Sequence, residues 1–319
     1  MSMFDNIIFI ASTIFPLIVY VAIGAVTAVK FNFTEDTVKS FNTLAFWVLM
    51  PANLFLIAYN YSIADKSFLK IALVGLLSLF FMAFLCAFIA LRLCKDDRPA
   101  AAALAGISWK CNCIMLGIPV AQSFLSPEGA MKFTILAIIV DAAVSNMILI
   151  PQISFILKTG EKKSFLSQLK AVLLNPIVFS TLLGAVFNLV GIKLPQLIVT
   201  PIQAIANTNL AICMIIIGVS MGVRRHISNI RLVGIACFLK LVLCPVCGTL
   251  IAYIFGIRGS GLGAVCLFWA VPSAVNAGIT IEAMGGDGSI GNSTLVLSTV
   301  LSAITLFIVG VLIRTIGWM

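Results

Sequence analysis

The chain has 319 residues, of which 61% are hydrophobic and 10% charged, and its mean hydropathy is +1.17. A soluble domain of this length could not bury so much apolar surface, so the composition predicts an integral membrane protein. The net charge of +9 comes from basic residues that flank apolar segments without forming an aromatic-interleaved patch, which argues against nucleic acid as a partner.

Ten apolar segments are long enough to cross a bilayer as helices, since one span needs about 20 residues. They cover residues 6–29, 38–59, 67–91, 100–125, 131–157, 168–190, 197–222, 230–255, 260–283 and 290–315. The sequence therefore predicts an all-α membrane protein with five spans in each half, residues 1–157 and 168–319, joined by a linker at 158–167. Because five is odd, the second half enters the membrane from the opposite side, and the repeat is inverted.

Basic residues are distributed unequally between the two faces of this arrangement. With the amino terminus outside, twelve lie in loops on the cytoplasmic face and six on the other face. Loops on the cytoplasmic side of a membrane carry the excess of Lys and Arg, so we expect a multi-pass protein of the cell membrane with both termini outside and the linker inside. The first span is too long for a signal-peptide core, and we expect it to be retained as a helix.

The two halves share residues at a constant offset of 160. Residues 16–26 (PLIVYVAIGAV) and 176–186 (PIVFSTLLGAV) have proline, glycine, alanine and valine in register. Two further pairs are Arg98 with Arg258 and Trp109 with Trp269. The fourth and ninth spans, which correspond to each other, are also both interrupted by proline. Such paired interruptions are the best sequence indication of a transporter's binding site near the bilayer midplane.

The interruptions have a chemical consequence. Proline removes a backbone donor and clashes with the preceding turn, so polar backbone groups are exposed at membrane depth. Nearby polar residues that could satisfy them are Ser108, Asn112, Ser273, Asn276 and Thr280. Each half-helix that resumes carries roughly half a positive charge at its amino end, and two such ends meeting at one point suit a carboxylate. In the alternative interpretation the prolines only kink the spans and the asparagines tie the freed backbone together.

Three charged residues fall within predicted spans, where such groups usually face inward and are often functional. Asp141 is expected either to make a structural hydrogen bond or ion pair, or to carry a proton or coordinate a cation. Lys110 is expected to attract an anion, to pair with Asp141 or to reach the membrane surface with its long side chain. Lys240 has no interrupted span near it in sequence, which favours a structural role.

Cofactor, metal and enzyme functions find little support. Among the nine cysteines, the Cys244–Cys247 pair and the two that flank Asn112 lie within spans and are interpreted as packing residues. The single histidine, His226, does not give a metal-site spacing. Intramembrane proteases need paired aspartates, a Ser/His dyad or an HExxH helix, and the sequence has none of these within its spans. We therefore expect no cofactor, no metal and no catalysis.

Several segments resemble one family of membrane carriers. Residues 112–119 (NCIMLGIP) resemble the Asn-x4-Gly-Ile-Pro signature in the first crossover helix of the auxin efflux carrier family, which includes plant auxin exporters and bacterial malate and malonate carriers. Residues 175–222 are similar to the opening of the family's second half, with Asn-Pro, Leu-Gly and Leu-Pro landmarks. Residues 49–55 (LMPANLF) resemble its second helix, and residues 271–278 (VPSAVNAG) its second crossover. The resemblance covers essentially the whole chain.

The resemblance implies a fold shared with bile-acid symporters and sodium/proton antiporters. Spans 1, 2, 6 and 7 would form a scaffold domain, spans 3–5 and 8–10 a transport domain, and the broken helices 4 and 9 would cross. It implies elevator-type transport of an organic anion, such as malate, malonate or an auxin-like acid. The expected substrate-binding residues are Asn112, Gly117, Pro119, Pro272, Ser273, Asn276, Asn53 and Lys110. The long cytoplasmic loop of many plant members is absent, so the chain resembles a bacterial-type member.

Two other functions remain open alongside uncoupled transport. An inside-negative potential of 100 mV is worth about 2.3 kcal/mol per charge and drives anions outward, so import needs coupled cations. A proton- or sodium-coupled symporter would route its cation through Asp141, the coupling residue that we predict. A non-transporting anion receptor is the second alternative. The partners expected besides the substrate are membrane lipid and a second copy of the chain in a homodimer.

Overall fold

The computed structural model describes residues 3–60, 66–159, 170, 174–224 and 228–318. These residues form twelve helices: α1 (Met3–Lys30), α2 (Glu35–Asn60), α3 (Lys66–Leu93), α4 (Arg98–Trp109), α5 (Cys113–Phe124), α6 (Pro127–Leu157), α7 (Pro176–Val190), α8 (Gln196–Val223), α9 (Ile230–Ile254), α10 (Gly259–Ala270), α11 (Val275–Ala283) and α12 (Gly288–Ile316). Most of the predicted linker, along with His226, lies outside the described residues.

The helices have the length and composition of membrane spans. Seven of those described, α1, α2, α3, α6, α8, α9 and α12, are long and apolar enough to cross a bilayer, and α5, α7 and α10 are shorter apolar helices. Large apolar side chains such as Phe84, Phe155 and Leu197 are exposed on their outer faces, where lipid replaces water as the solvent. The prediction of an all-helical integral membrane protein is confirmed.

The fourth and ninth predicted spans are each two helices separated by a short extended segment. The second interruption, between α10 and α11, contains Pro272, as expected. The first falls at residues 110–112, seven residues before Pro119. The expectation that proline itself breaks this span is therefore wrong. Pro119 lies inside α5, two residues after the end of a π-helical turn whose wider hydrogen-bonding pattern accommodates a residue without a backbone N–H.

This arrangement of a π-helical turn followed by proline recurs along the chain. In each case the wide turn ends two residues before the proline and the helix then continues in α-helical form. The instances are Ala45–Leu49 before Pro51, Cys113–Gly117 before Pro119 and Leu239–Leu243 before Pro245. Local widening relieves the clash between the proline ring and the preceding turn, so these three prolines leave their helices continuous.

Two helix crossings bring backbones into direct contact and repeat each other. Where α1 meets α8, a Cβ atom at Gly24 would lie 2.0 Å from the carbonyl oxygen of Ile215. Where α7 meets α2, a Cβ atom at Gly184 would lie 2.3 Å from the carbonyl oxygen of Phe55. Gly184 follows Gly24 by 160 positions, and Ile215 follows Phe55 by the same number. The second crossing thus repeats the first with the partners exchanged, and only glycine permits such an approach.

We expect Gly218→Ala to destabilise the α1–α8 crossing. Its added Cβ atom would lie 2.0 Å from the carbonyl oxygen of Val21, so the helices must separate. The expected loss is about 1–3 kcal/mol of unfolding free energy, measured as a lower thermal unfolding midpoint in detergent. Gly234→Ala is the matched control, because nothing lies within 4 Å of that Cβ position and alanine favours a helix over glycine. Equal midpoints for the two variants would contradict the crossing geometry.

Most of the helix packing falls within two groups of elements, which meet where α1 packs on α12. In the first, α1 packs on α8, and α2 packs on both α7 and α8. Arg224 at the end of α8 makes a two-point ion pair with Glu35 at the start of α2, with N–O distances of 2.9 and 2.8 Å. In the second, α3 packs on α4, α9 on α10, α4 on α6, and α11 on α12. The two interruptions both belong to this second group.

Candidate functional site

The two interruptions run antiparallel to each other and are joined through their backbones. The Asn112 N–H donates to the carbonyl oxygen of Pro272 at 2.9 Å, and the Ala274 N–H donates to that of Lys110 at 3.2 Å. Backbone groups that lose their helical partners thus find new ones in the other half of the chain. We call residues 110–112 and 272–274 the crossing.

Side chains next to the crossing fix the carboxyl ends of α4 and α10, the helices that precede the two interruptions. The Ser273 hydroxyl donates to the carbonyl oxygen of Ile107 at 3.0 Å, and the side chain is fully buried. Trp109 and Trp269 are the last aromatic residues before the two interruptions, and each donates its indole N–H to a polar side chain. The acceptors are Gln152 at 3.0 Å for Trp109 and Ser78 at 3.2 Å for Trp269. Both half-helices are therefore fixed just before the crossing.

A cavity of about 310 Å³ lies beside the crossing, and we call it the crossing cavity. Its polar lining consists of Asn42, Thr43, Asn112, Asp141 and Asn276, together with Cys111. Its apolar lining consists of Phe46, Trp47, Met50, Ile114, Met115, Ile177, Ala274, Val275 and Ile279. The lining includes the first turns of both α5 and α11, whose amino ends carry partial positive charge. An anion is the ligand that this placement favours.

The Asn112 side chain brings a buried, unpaired donor to the crossing cavity. It is only 7% exposed, and its Nδ2 has no hydrogen-bond acceptor among the described residues. Buried amide donors are almost always satisfied, and leaving one unpaired costs about 1–3 kcal/mol. A ligand oxygen in the crossing cavity would supply the missing acceptor.

The charges of Lys110 and Asp141 cancel beside the crossing. The Lys110 Nζ lies 2.9 Å from Asp141 Oδ1 and 3.3 Å from the Asp141 carbonyl oxygen, and it also contacts the Ser145 hydroxyl. Lys110 is 1% and Asp141 6% exposed. Of the roles open to Lys110, pairing with Asp141 is the one seen here. Of these two residues, Asp141 lines the crossing cavity and Lys110 does not.

The remaining predicted residues lie outside the crossing cavity. A Cβ atom at Gly117 would lie 2.6 Å from the ring of Phe133, so this glycine allows α5 to pack closely on α6. Pro119 is buried within α5. The Asn53 side chain donates to Gln122 at 3.4 Å and does not line the crossing cavity. The structure thus brings Asn112, Asn276 and Asp141 together at the cavity.

Sequence reasoning did not select the cavity residues contributed by the first group of helices. Asn42, Thr43 and Trp47 come from α2, and Ile177 comes from α7. The available signal was the polar pair Asn42 and Thr43 near the start of the predicted span 38–59. In the described parts of the chain, no cluster of three or more His, Cys, Asp or Glu side chains could hold a metal ion.

Comparisons with known proteins agree with this architecture. Residues 9–309 match the family described as membrane transport protein. The chain is 24% identical over 299 residues to the "Uncharacterized transporter YfdV" of Escherichia coli (strain K12), an alignment that spans 91% of this chain and 93% of the relative. Proteins of the same name in Escherichia coli O157:H7 and Shigella flexneri match equally well. The chain belongs to the membrane transport protein family, which is the auxin efflux carrier family that its motifs resemble, and it is a membrane transporter.

Proposed function

We propose that this transporter carries an organic carboxylate, which binds in the crossing cavity. The observation that carries the proposal is the unpaired, buried Asn112 amide between the amino ends of α5 and α11. Because the Lys110 and Asp141 charges cancel, the attraction that remains comes from two helix ends and amide donors. Two helix ends of roughly half a positive charge each match the single negative charge of one carboxylate group.

The apolar lining supports a particular kind of carboxylate. Apart from its polar groups, the crossing cavity is lined by side chains such as Phe46, Trp47 and Met50. A second carboxylate placed there would lose its hydration without gaining a cationic partner. A volume of about 310 Å³ lies at the lower end of ligand sites. We therefore favour a small monocarboxylate with an apolar or aromatic body over dicarboxylates such as malate or malonate.

The proposed architecture is ten spans in two inverted repeats, with α4 and α5 counted as one span and α10 and α11 as another. The reciprocal glycine crossings support it. The helix positions support it as well, because α2 begins at Glu35 and α8 at Gln196, and α6 begins at Pro127 and α12 at Gly288. Both pairs are 161 residues apart. The orientation that goes with this architecture places both termini outside.

The proposed mechanism is movement of one helix group past the other. The scaffold would consist of α1, α2, α7 and α8, and the moving domain of α3–α6 and α9–α12. The crossing cavity supports this division, because it is lined by α2 and α7 from the scaffold and by α5 and α11 from the moving domain. A site at such a boundary changes its exposure when the domains slide, which is what alternating access requires.

The experiment that tests the proposal is flux across proteoliposomes containing the purified full-length chain. The panel compares two aromatic monocarboxylates, an indole acetate and phenylacetate, with two dicarboxylates, malate and malonate. We expect uptake and a substrate-dependent current for the aromatic monocarboxylates. Transport of the dicarboxylates alone would overturn the substrate class, and saturable binding without flux would replace the carrier with an anion receptor.

Cation coupling is a second candidate mechanism, favoured by the position of Asp141 in the crossing cavity beside a lysine. Protonation of Asp141 would release Lys110, so a proton and a substrate anion could enter together. In that case Asp141→Asn should abolish the stimulation of uptake by an inward proton gradient while voltage-driven flux remains. Asp36→Asn, an exposed aspartate paired with Lys39, should keep the stimulation. An unchanged proton dependence in Asp141→Asn would remove Asp141 from the coupling role.

A further inference from the structure

Lys240 is a buried cation whose surroundings differ from those of Lys110. Its side chain is 0% exposed, and its Nζ lies 2.9 Å from Cys111 Sγ and 3.0 Å from the carbonyl oxygen of Trp269. The same Nζ lies 5.7 Å from the centre of the Trp269 ring. Among the described residues, no carboxylate forms a salt bridge with Lys240. Placing an ammonium group at membrane depth without a counter-charge costs free energy. The adjacent sulfur is therefore important, because a thiolate could supply the missing negative charge.

The Cys111 sulfur is the group placed to balance that charge. A lysine beside a cysteine stabilises the thiolate, which is the nucleophilic form. The sulfur also lies 3.4 Å from the carbonyl oxygen of Trp109, a contact that only the protonated thiol can use, but its approach to the ammonium group is shorter. The other ionisable groups around Cys111 are Asp141, Cys113 and Cys244. Asp141 is paired with Lys110, which limits its repulsion of a thiolate.

Cys111 also lines a cavity, although only 2% of its own surface is exposed. It lines the crossing cavity together with Asn112, whose unpaired amide donor independently marks that cavity as a place for a ligand. Cys113 and Cys244 are buried and do not line it. Cys247 and Cys266, by contrast, are partly exposed but have no lysine in contact with their sulfur atoms among the described residues.

We propose that Cys111 is a reactive thiol in the crossing cavity. Lys240 activates this thiol, and small uncharged electrophiles modify it. With iodoacetamide the thiolate attacks the methylene carbon, the S–C bond forms, the C–I bond breaks and iodide leaves. The reaction needs no oxidant or further reactant. The inference rests on the proposed function only in requiring that the crossing cavity admit solutes, and the modification itself is detected without transport.

The test is labelling of the purified full-length protein with limiting iodoacetamide, followed by peptide mass spectrometry of all nine cysteines. Exposure alone predicts that Cys247 and Cys266 react first. Activation by Lys240 predicts that Cys111 reacts first, and that Lys240→Gln slows its labelling about tenfold or more whereas Lys240→Arg retains most of it. First labelling at Cys247 or Cys266, or an unchanged Cys111 rate in a folded Lys240→Gln protein, would overturn the proposal.

A second measurement, on the protein without substitutions, tests the proposal even if the lysine variants do not fold. The labelling rate of an ordinary thiol rises about tenfold per pH unit below its titration, because only the thiolate reacts. Activation by Lys240 predicts that the labelling rate of Cys111 rises less steeply with pH than the rates of the other cysteines. A tenfold rise per unit at Cys111 would contradict activation, whatever the protein transports.

Discussion

Asn112→Ala is expected to reduce carboxylate flux by about 10- to 100-fold while the protein remains folded. The Asn112 amide offers a donor that has no partner among the described residues, and a hydrogen bond to a charged group contributes about 1.5–3 kcal/mol. Each 1.4 kcal/mol corresponds to a tenfold change in an equilibrium constant, which gives the expected range. The fold should tolerate the change, because the backbone N–H of Asn112, rather than its side chain, holds the crossing. The measurement is initial uptake into proteoliposomes at matched protein content.

Two variants sharpen this test. Asn112→Asp preserves size but replaces the donor with a negative charge, so it should bind an anion at least as poorly as the alanine variant. Asn207→Ala removes an exposed asparagine of α8 whose side chain, among the described residues, accepts a hydrogen bond from the exposed Gln203, and its flux should be unchanged. Full flux in a folded Asn112→Ala protein would place the carboxylate elsewhere.

Lys110→Met is expected to cost about 3–5 kcal/mol of unfolding free energy, the largest stability change that we predict. The substitution leaves the Asp141 carboxylate buried without its cation, and an uncompensated charge of this kind is strongly destabilising. The measurement is the thermal unfolding midpoint in detergent, together with yield after membrane extraction. Lys39→Met, which breaks an exposed pair with Asp36, should cost less than about 1 kcal/mol.

The double variant Lys110→Met/Asp141→Asn separates charge burial from shape. Removing both charges leaves no uncompensated group, so most of the stability lost in Lys110→Met should return. A double variant as unstable as the single one would mean that Lys110 stabilises the fold by packing alone. The double variant also tests proton coupling, because neither of its new side chains can bind the proton that Asp141 would carry.

Composition and the length of the apolar segments were sufficient to predict an integral membrane protein, because apolar segments long enough to cross a bilayer are rare in soluble domains. The duplicated motifs also directed attention to the correct two segments. The exact place of the first interruption was not predictable, because residues 110–112 (KCN) contain neither proline nor glycine. That segment is extended because Pro272 and Ala274 supply its hydrogen bonds, an interaction between residues more than 150 positions apart.

The side-chain environment of the crossing was predicted only in part. Lys110, Asn112 and Asp141 attract attention as polar residues in apolar spans, and pairing of Lys110 with Asp141 was one of the expected arrangements. The contact between Lys240 and Cys111 joins residues 129 positions apart and has no local signal. The contribution of α2 to the crossing cavity likewise depends on how the two helix groups pack, which no single segment encodes.

The crossing is held by main-chain groups, and this has a consequence for divergence within the family. Any amino acid supplies a carbonyl oxygen, and any except proline supplies an N–H, so the side chains at residues 110–112 can change without loss of the join. Position 272 needs to contribute only its carbonyl oxygen, which proline retains. Under the proposed function, relatives would acquire new substrates by exchanging side chains at the point where the two halves meet, without loss of the backbone hydrogen bonds that join them.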